Sequence, residues 1–232
     1  MPAVATSRLP PHHIRRRRLV DACAAAQVVV VEAAGGYGKS VLAAELVDAN
    51  GLVPIWVLLE DGGVPGRLLA GRLRGAVARA GLADAAAAMS ASGDDPAGAI
   101  DALLGALAGE SCAILIDDAH HAARDAAQLI DRMASQLGDQ QMLIVLARHL
   151  PPGLERLRRA EVVQLTSREL SLTPEETLEL CLAGFGLEAS LIAICVATGF
   201  GMWLLWLAIH RGELVAPSWL RARRVGAPQG LR

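Results

Sequence analysis

Aromatic residues are nearly missing from this chain of 232 residues: two Phe, one Tyr and four Trp, 3% in all. A core must therefore be packed from Leu, Val, Ile and Ala, and apolar residues do reach 53%, with a mean hydropathy of +0.38. An excess of one charge sign is missing too. The formal net charge of −2 gives no global field that would argue for nucleic acid. Cysteine is scarce and scattered (Cys23, Cys112, Cys181, Cys195), with no C-x-x-C pair, which argues against a zinc site and fits buried thiols in a reducing compartment. A secretory h-region is absent as well: Arg15 to Arg18 form a basic run, but the apolar stretch behind it is short and interrupted by Asp21. The expected location is the cytoplasm. The arginine run reads as a solvated patch, with nucleic-acid contact as the alternative.

What is present is concentrated in Val28-Val29-Val30-Val31-Glu32-Ala33-Ala34-Gly35-Gly36-Tyr37-Gly38-Lys39-Ser40. A β-branched run leads into a Gly-rich turn that ends in Gly-Lys-Ser before an apolar helix pattern, the strand–loop–helix context of a phosphate-binding loop. Gly35, Gly36 and Gly38 are free to turn their N–H groups inward as an anion nest. A helix starting near Lys39 adds its dipole and its unpaired N–H groups. The expected nucleotide-binding set is Ala34, Gly35, Gly36, Tyr37, Gly38, Lys39, Ser40 and Val41. Lys39 is expected at the β/γ-phosphates and the Ser40 hydroxyl on Mg²⁺. One departure from G-x-x-x-x-G-K-[ST] is Ala33 in place of the first Gly.

A second signal is Cys112-Ala113-Ile114-Leu115-Ile116-Asp117-Asp118-Ala119-His120-His121. An apolar run ending in two carboxylates reads as a buried parallel strand with acids at its C-terminal edge, where open α/β sheets bind ligands. Asp117 is expected to hold Mg²⁺ through water. Asp118 is expected to orient or deprotonate the attacking water, the catalytic role. His120 and His121 have no third ligand at metal spacing and read as loop residues near the site.

The rest of the middle alternates. Val41 to Val47 reads as an amphipathic helix ended by Asn50-Gly51, Val53 to Leu59 as a strand, Leu68 to Ala80 as a helix. Asp84 to Pro96 reads as an Ala-rich helix end and a loop, Ala97 to Leu107 as a helix, about Arg124 to Leu137 as another. Met142 to Ala147 and Val162 to Leu165 close the series as strands. Five strands with intervening helices predict an α/β fold of the P-loop NTPase type, a doubly wound parallel five-stranded sheet followed by a small helical subdomain. From Ser171 only helix patterns follow, opened by Thr173 as N-cap, Pro174 at the first position and Glu176 closing a capping box. The expected divisions are a basic extension and first helix over 1–25, the P-loop domain over 26–168, a helical subdomain over 169–214 and a flexible tail over 215–232.

Arg18-Leu19, the Ala34 to Ser40 loop, Trp56 before an acidic turn, Leu115-Ile116-Asp117-Asp118-Ala119-His120, Ala147-Arg148 and the segment from Leu157-Arg158-Arg159 to Thr173-Pro174-Glu175-Glu176 together resemble the MalT-like branch of the STAND ATPases. The resemblance covers nearly the whole chain. It implies a switch that is active and often self-associating with ATP and resting with ADP, with Arg148 as the γ-phosphate sensor at the end of its strand. Many members regulate transcription through helical repeats and a LuxR-type helix-turn-helix. This chain ends at Arg232 before either would fit, and carries Gly199-Phe200-Gly201-Met202-Trp203 where the family commonly has Gly-Trp-Pro. No reading helix is recognisable, so no sequence-specific DNA binding is expected of this chain alone.

The expected function is therefore an ATP-binding, Mg²⁺-dependent switch with slow hydrolysis, with ATP/ADP and Mg²⁺ as cofactors. The alternative is a nucleotide-holding interaction module without significant turnover. A P-loop kinase is disfavoured, because Asp84 to Pro96 lacks basic residues for a lid. Leu191 to Ile209 is charge-free and of membrane-spanning length. Its Thr198, Gly199 and Gly201 and its one-sided Trp203 and Trp206 suit two buried helices instead, so a membrane role is not expected. Self-association or a partner protein would engage these apolar C-terminal helices.

Overall fold

The computed structural model describes residues 13–60, 62–154, 157 and 162–185. Leu191 to Ile209, the Gly199 to Trp203 element and the tail over 215–232 lie outside the described residues. Contacts divide the chain into one unit through Glu176 and a second from Thr177 onward.

In chain order the described elements are α1 (Arg17–Cys23), β1 (Val28–Glu32), α2 (Lys39–Asn50), β2 (Val53–Leu58), α3 (Gly66–Arg79), α4 (Ala83–Ala91), α5 (Pro96–Ala106), β3 (Cys112–Asp117), α6 (Arg124–Ser135), β4 (Gln141–Ala147), β5 (Val162–Thr166), α7 (Ser167–Leu170) and α8 (Pro174–Phe185). The five strands form one all-parallel sheet in the order β2-β3-β4-β1-β5. This is the α/β architecture read from the sequence. It explains why β1, β3 and β4 are continuous apolar runs: each is covered on both sides, so period-2 alternation disappears.

The alternation survives as a division between two cores. Val28, Val30, Ile55, Val57, Ile114, Ile116, Leu143 and Val145 face the larger core with α3, α4, α5 and α6. Val29, Val31, Ala113, Leu115, Ile144, Leu146 and Leu165 face a smaller one with α1, α2 and α7. The larger layer is anchored where Asp125 of α6 accepts the Gly66 N–H at the start of α3, 2.7 Å away. A Cβ on Gly66 would lie 2.9 Å from Leu129 Cδ1, so a larger residue here would push the end of the Leu129 side chain aside.

Two expectations are corrected. Residues 83–91 form a helix rather than a helix end and loop. Alanine is the strongest helix former, and Ala85 and Met89, four apart, supply the buried contacts. Helix α2 is not amphipathic: every residue from Leu42 to Val47 is buried, Glu45 included, because α1 covers the side turned away from the sheet. Its end at Gly51, with φ of 61°, follows the Asn50-Gly51 signal. The Thr173–Glu176 capping box forms, with Thr173 N–H donating to Glu176 Oε2 at 2.9 Å and Glu176 N–H to Thr173 Oγ1 at 3.2 Å.

Candidate functional site

Parallel strands deliver their C-terminal ends to one edge of the sheet. Because β4 lies between β1 and β3, that edge gathers three segments: the glycine loop after β1, the acidic turn after β3 and Arg148 after β4. Arg148 is exposed between the other two.

The glycine loop is shaped by backbone conformation. Gly36 and Gly38 have φ of 86° and 74°, values that L side chains rarely adopt. A Cβ built on Gly35 or Gly36 meets nothing within 4 Å, so the cradle is open above them. Gly38 is the N-cap of α2, and its carbonyl accepts the Leu42 N–H at 2.9 Å. Lys39 is 8% exposed, its Nζ donating to the Ala33 oxygen at 2.8 Å and the Ala34 oxygen at 3.0 Å. The ammonium thus stands inside the loop that an anion would fill. Tyr37, at the loop tip, is exposed.

Ser40 and Asp117 meet. The Ser40 hydroxyl donates to Asp117 Oδ2 at 2.9 Å, and the Asp118 N–H donates to Asp117 Oδ1 at 2.9 Å. Burial pushes the Asp117 carboxyl up from the ordinary carboxylate range, opposed by these two hydrogen bonds. A half-buried carboxylate so placed, beside a hydroxyl, is a donor pair for a hard divalent cation. Asp118 itself has φ of 54°, the one positive value outside glycine among the described residues. This left-handed conformation costs energy for a non-glycine residue, and it turns Asp118 away from the line of β3.

The turn at Ala119–His121 is held by the loop after β2: Val64 N–H donates to the His121 oxygen, and Ala123 N–H to the Val64 oxygen, both at 2.8 Å. His120 packs with ring centroids 4.1 Å from His121 and 5.5 Å from His149. Its Nδ1 lies 3.7 Å from Asp118 Oδ1. Burial first, and then the neighbouring His121, lower the His120 pKa. Among the described residues no group of three or more His, Cys, Asp or Glu side chains is arranged to hold a metal.

The arginine run is not a uniform solvated patch. Arg15 is exposed and pairs with Asp48 at 3.2 Å, but Arg16 is 5% exposed. Its guanidinium donates to the Gly38 oxygen at 3.0 Å and to the Leu170 oxygen at 3.1 Å, and its N–H to Glu45 Oε2 at 3.3 Å. Burial lowers the Arg16 pKa, while Glu45 and Glu176 favour its charged form. Arg18 donates to the oxygens of Glu169 and Ser171, each at 2.7 Å, and pairs with Glu176 at 3.0 Å. Sequence reasoning missed these roles, because nothing in a basic run marks which member is buried. It also passed over Glu32, whose Oε1 accepts the Leu150 N–H at 3.3 Å and ties the end of β1 to the loop after β4.

Lys39 is the only lysine among the 22 Lys and Arg residues of the chain. A chain that otherwise places arginine at every basic position has a compact, flexible ammonium here, and the two are not interchangeable. Cys23 and Cys112 are buried, which pushes both thiols up to about 11. No helix among the described residues is long and apolar enough to cross a membrane.

No family model matches the chain and no curated protein matches it. Among solved structures, it is similar to the signal transduction ATPase with numerous domains (STAND) from Pyrococcus horikoshii, a protein with a tetratricopeptide repeat sensor. The TM-score is 0.55 and the identity 20%, over 73% of this chain and 25% of that one. A weaker match is the Escherichia coli MS115-1 HORMA:CdnC:Trip13 complex, with a TM-score of 0.38 and 16% identity over 75% of this chain and 59% of the other; a likeness at that level carries no argument. This chain spans a quarter of the length of the STAND protein. The described core thus has a five-stranded, all-parallel α/β fold similar to that of this solved STAND protein.

Proposed function

We propose that this chain is an ATP-binding, Mg²⁺-dependent ATPase core of the STAND type, a slow nucleotide-driven switch from or related to a MalT-like transcription regulator. The observation that carries the reading is the pairing of Ser40 with Asp117 at 2.9 Å, directly after the lone lysine and beside an open glycine cradle. Four features of a nucleotide site, namely nest, ammonium, hydroxyl and carboxylate, converge on one sheet edge from segments 77 residues apart.

In this reading the N–H groups from Ala34 to Val41 surround the phosphates, and Lys39 leaves the Ala33 and Ala34 carbonyls to reach the β/γ oxygens. Ser40 directly, and Asp117 through water, would hold Mg²⁺, whose chemistry there would be to neutralise charge on the terminal phosphates. Asp118 orients the attacking water and accepts its proton. Arg148, emerging from β4 between the two, reports the γ-phosphate. A strained Asp118 is the place where such a role is expected to leave a conformational trace.

The test is calorimetric titration of the full chain with MgATP, and of Lys39→Ala. The wild type should bind and Lys39→Ala should lose detectable binding, since the loop then has no phosphate countercharge. Equal affinity in the two proteins would refute the reading. Exposed Leu172 and Leu178 favour a second reading, a module that holds nucleotide without turnover and docks on a partner. Hydrolysis by the purified wild type decides between the two.

A further inference from the structure

Burying an arginine is costly unless its charge is compensated and its donors are used. Arg16 meets both conditions in an unusual way: one arm reaches the nucleotide loop and the other reaches the end of α7, while Glu45 supplies the opposite charge. The bridge spans 154 residues of sequence from Arg16 to Leu170. A nonpolar side chain would fill the same space without bridging anything.

The peptide unit that Arg16 grips is the one that matters to a phosphate. The Gly38 carbonyl and the Lys39 N–H belong to the same planar unit and point in opposite directions. Lys39 N–H is the first unpaired donor of α2, aimed where an anion would sit. One lone pair of the Gly38 oxygen is taken by Leu42 N–H and the other by Arg16. Holding that oxygen therefore holds the N–H toward the phosphate, and any rotation of the unit on nucleotide arrival swings the atom in Arg16's grip. The guanidinium packs against the glycine: a Cβ on Gly38 would lie 3.2 Å from Arg16 Nη2. The guanidinium is a rigid planar fork. Its second arm ends on Leu170, three residues before Thr173, which caps the helix α8.

We infer that Arg16 is a positioning residue of the nucleotide site, and that it carries the state of the glycine loop to the segment leading into α8. The inference rests on the nucleotide-binding reading above. Arg18 provides the built-in control. It grips the same segment through Glu169, Ser171 and Glu176, but none of its hydrogen bonds reaches the glycine loop.

The experiment is hydrogen exchange over residues 167–171 in the full chain, with and without a non-hydrolysable MgATP analogue, in wild type, Arg16→Met and Arg18→Met. In wild type the analogue should change exchange of these amides. In Arg16→Met the analogue should still bind, on the order of tenfold more weakly for the loss of one charge-assisted hydrogen bond, and the change over 167–171 should vanish. Arg18→Met should speed exchange with and without analogue alike and keep the nucleotide-dependent difference. Should Arg16→Met not fold, Arg16→Lys keeps the charge but lacks the fork, and should show the same uncoupling. A wild-type response retained in the Arg16 variant, or lost equally in Arg18→Met, overturns the inference. So does a wild type that binds the analogue with no change over 167–171, and that result leaves the nucleotide reading standing. A wild type that binds no analogue fails the nucleotide reading itself, and the inference with it.

Discussion

The two faces of the sheet solve different problems with the same strands. The face toward α3–α6 is covered by apolar side chains, with Leu69, Leu73, Ile100 and Leu103 fully buried against Ile55, Ile114 and Leu143. The face toward α1, α2 and α7 has a smaller apolar cluster, and its helices and the segment before α1 carry three of the four buried polar or charged residues described: Arg16, Lys39 and Glu45. The first arrangement maximises area removed from water. The second accepts desolvated charge, which is rarely the most stable solution, and it does so around the loop that the nucleotide reading needs. Apolar burial and desolvated charge are thus divided between the two faces.

The division breaks or holds on substitutions. The largest effect on stability belongs to the oily face: Leu73→Ala in α3 should cost about 2–5 kcal/mol, from lost transfer energy and the cavity left behind. Urea unfolding measures it. MgATP affinity of the folded protein should stay within a factor of about two, since Leu73 lies in the cluster that excludes the glycine loop. A large affinity loss would mean that the faces are coupled and the comparison is wrong.

The acids at the sheet edge should show the reverse: little change in stability, large change in chemistry. Asp117→Asn should weaken MgATP binding by removing charge from the metal's donor set. The ligand-free protein should change little in stability, because relief of a buried charge is set against loss of one of the two hydrogen bonds that Asp117 accepts. Asp118→Asn should leave MgATP affinity nearly intact and slow single-turnover hydrolysis on the order of 10²-fold. Asn tolerates the left-handed conformation seen at Asp118, so the substitution adds no strain and any loss is chemical. Equal loss of affinity in both variants would mean that the two roles are wrongly divided.

How much of this was legible in the sequence follows the same line. Runs such as Val28–Val31 and Leu143–Leu146 announce strands buried on both sides, and Gly35 to Ser40 announces its loop because few residues other than glycine take those φ values. Helix α4 was harder: Ala85 to Ala88 carry no hydrophobic periodicity, so only the propensity of alanine marks it. The placement of β4 between β1 and β3 was not legible, because periodicity identifies strands and not their neighbours. Arg16 was the least legible of all. Its burial is created by the return of Leu170 from far along the chain, and no local pattern separates it from Arg15, Arg17 or Arg18.

Charge on the oily face is a different matter. The α3–α6 layer does contain an ion pair, Arg132 of α6 to Asp101 of α5, with Arg132 Nε 2.7 Å from Asp101 Oδ1. Its geometry is better than that of any pair near the glycine loop, and the hydrogen bond from Arg132 holds the Asp101 carboxyl below the ordinary carboxylate range. Yet both side chains are over 40% exposed, where water and salt screen the charge and exposed pairs contribute little. A carboxylate whose folded pKa is depressed adds stability above its unfolded pKa, near 3.9 for Asp, and loses it as pH falls through the folded value. Asp101→Asn should therefore give a thermal midpoint close to wild type at pH 7. Whatever difference remains should shrink in 0.5 M salt (a Debye length of roughly 4 Å) and vanish in acid, where wild type also loses the charge. Thermal unfolding of both proteins at pH 7 and below pH 3.9, at low and high salt, measures this. A salt-resistant drop at neutral pH comparable to that of Leu73→Ala would show that charge supports the oily face too, and the functional weight placed on Arg16 and Glu45 would lose its contrast.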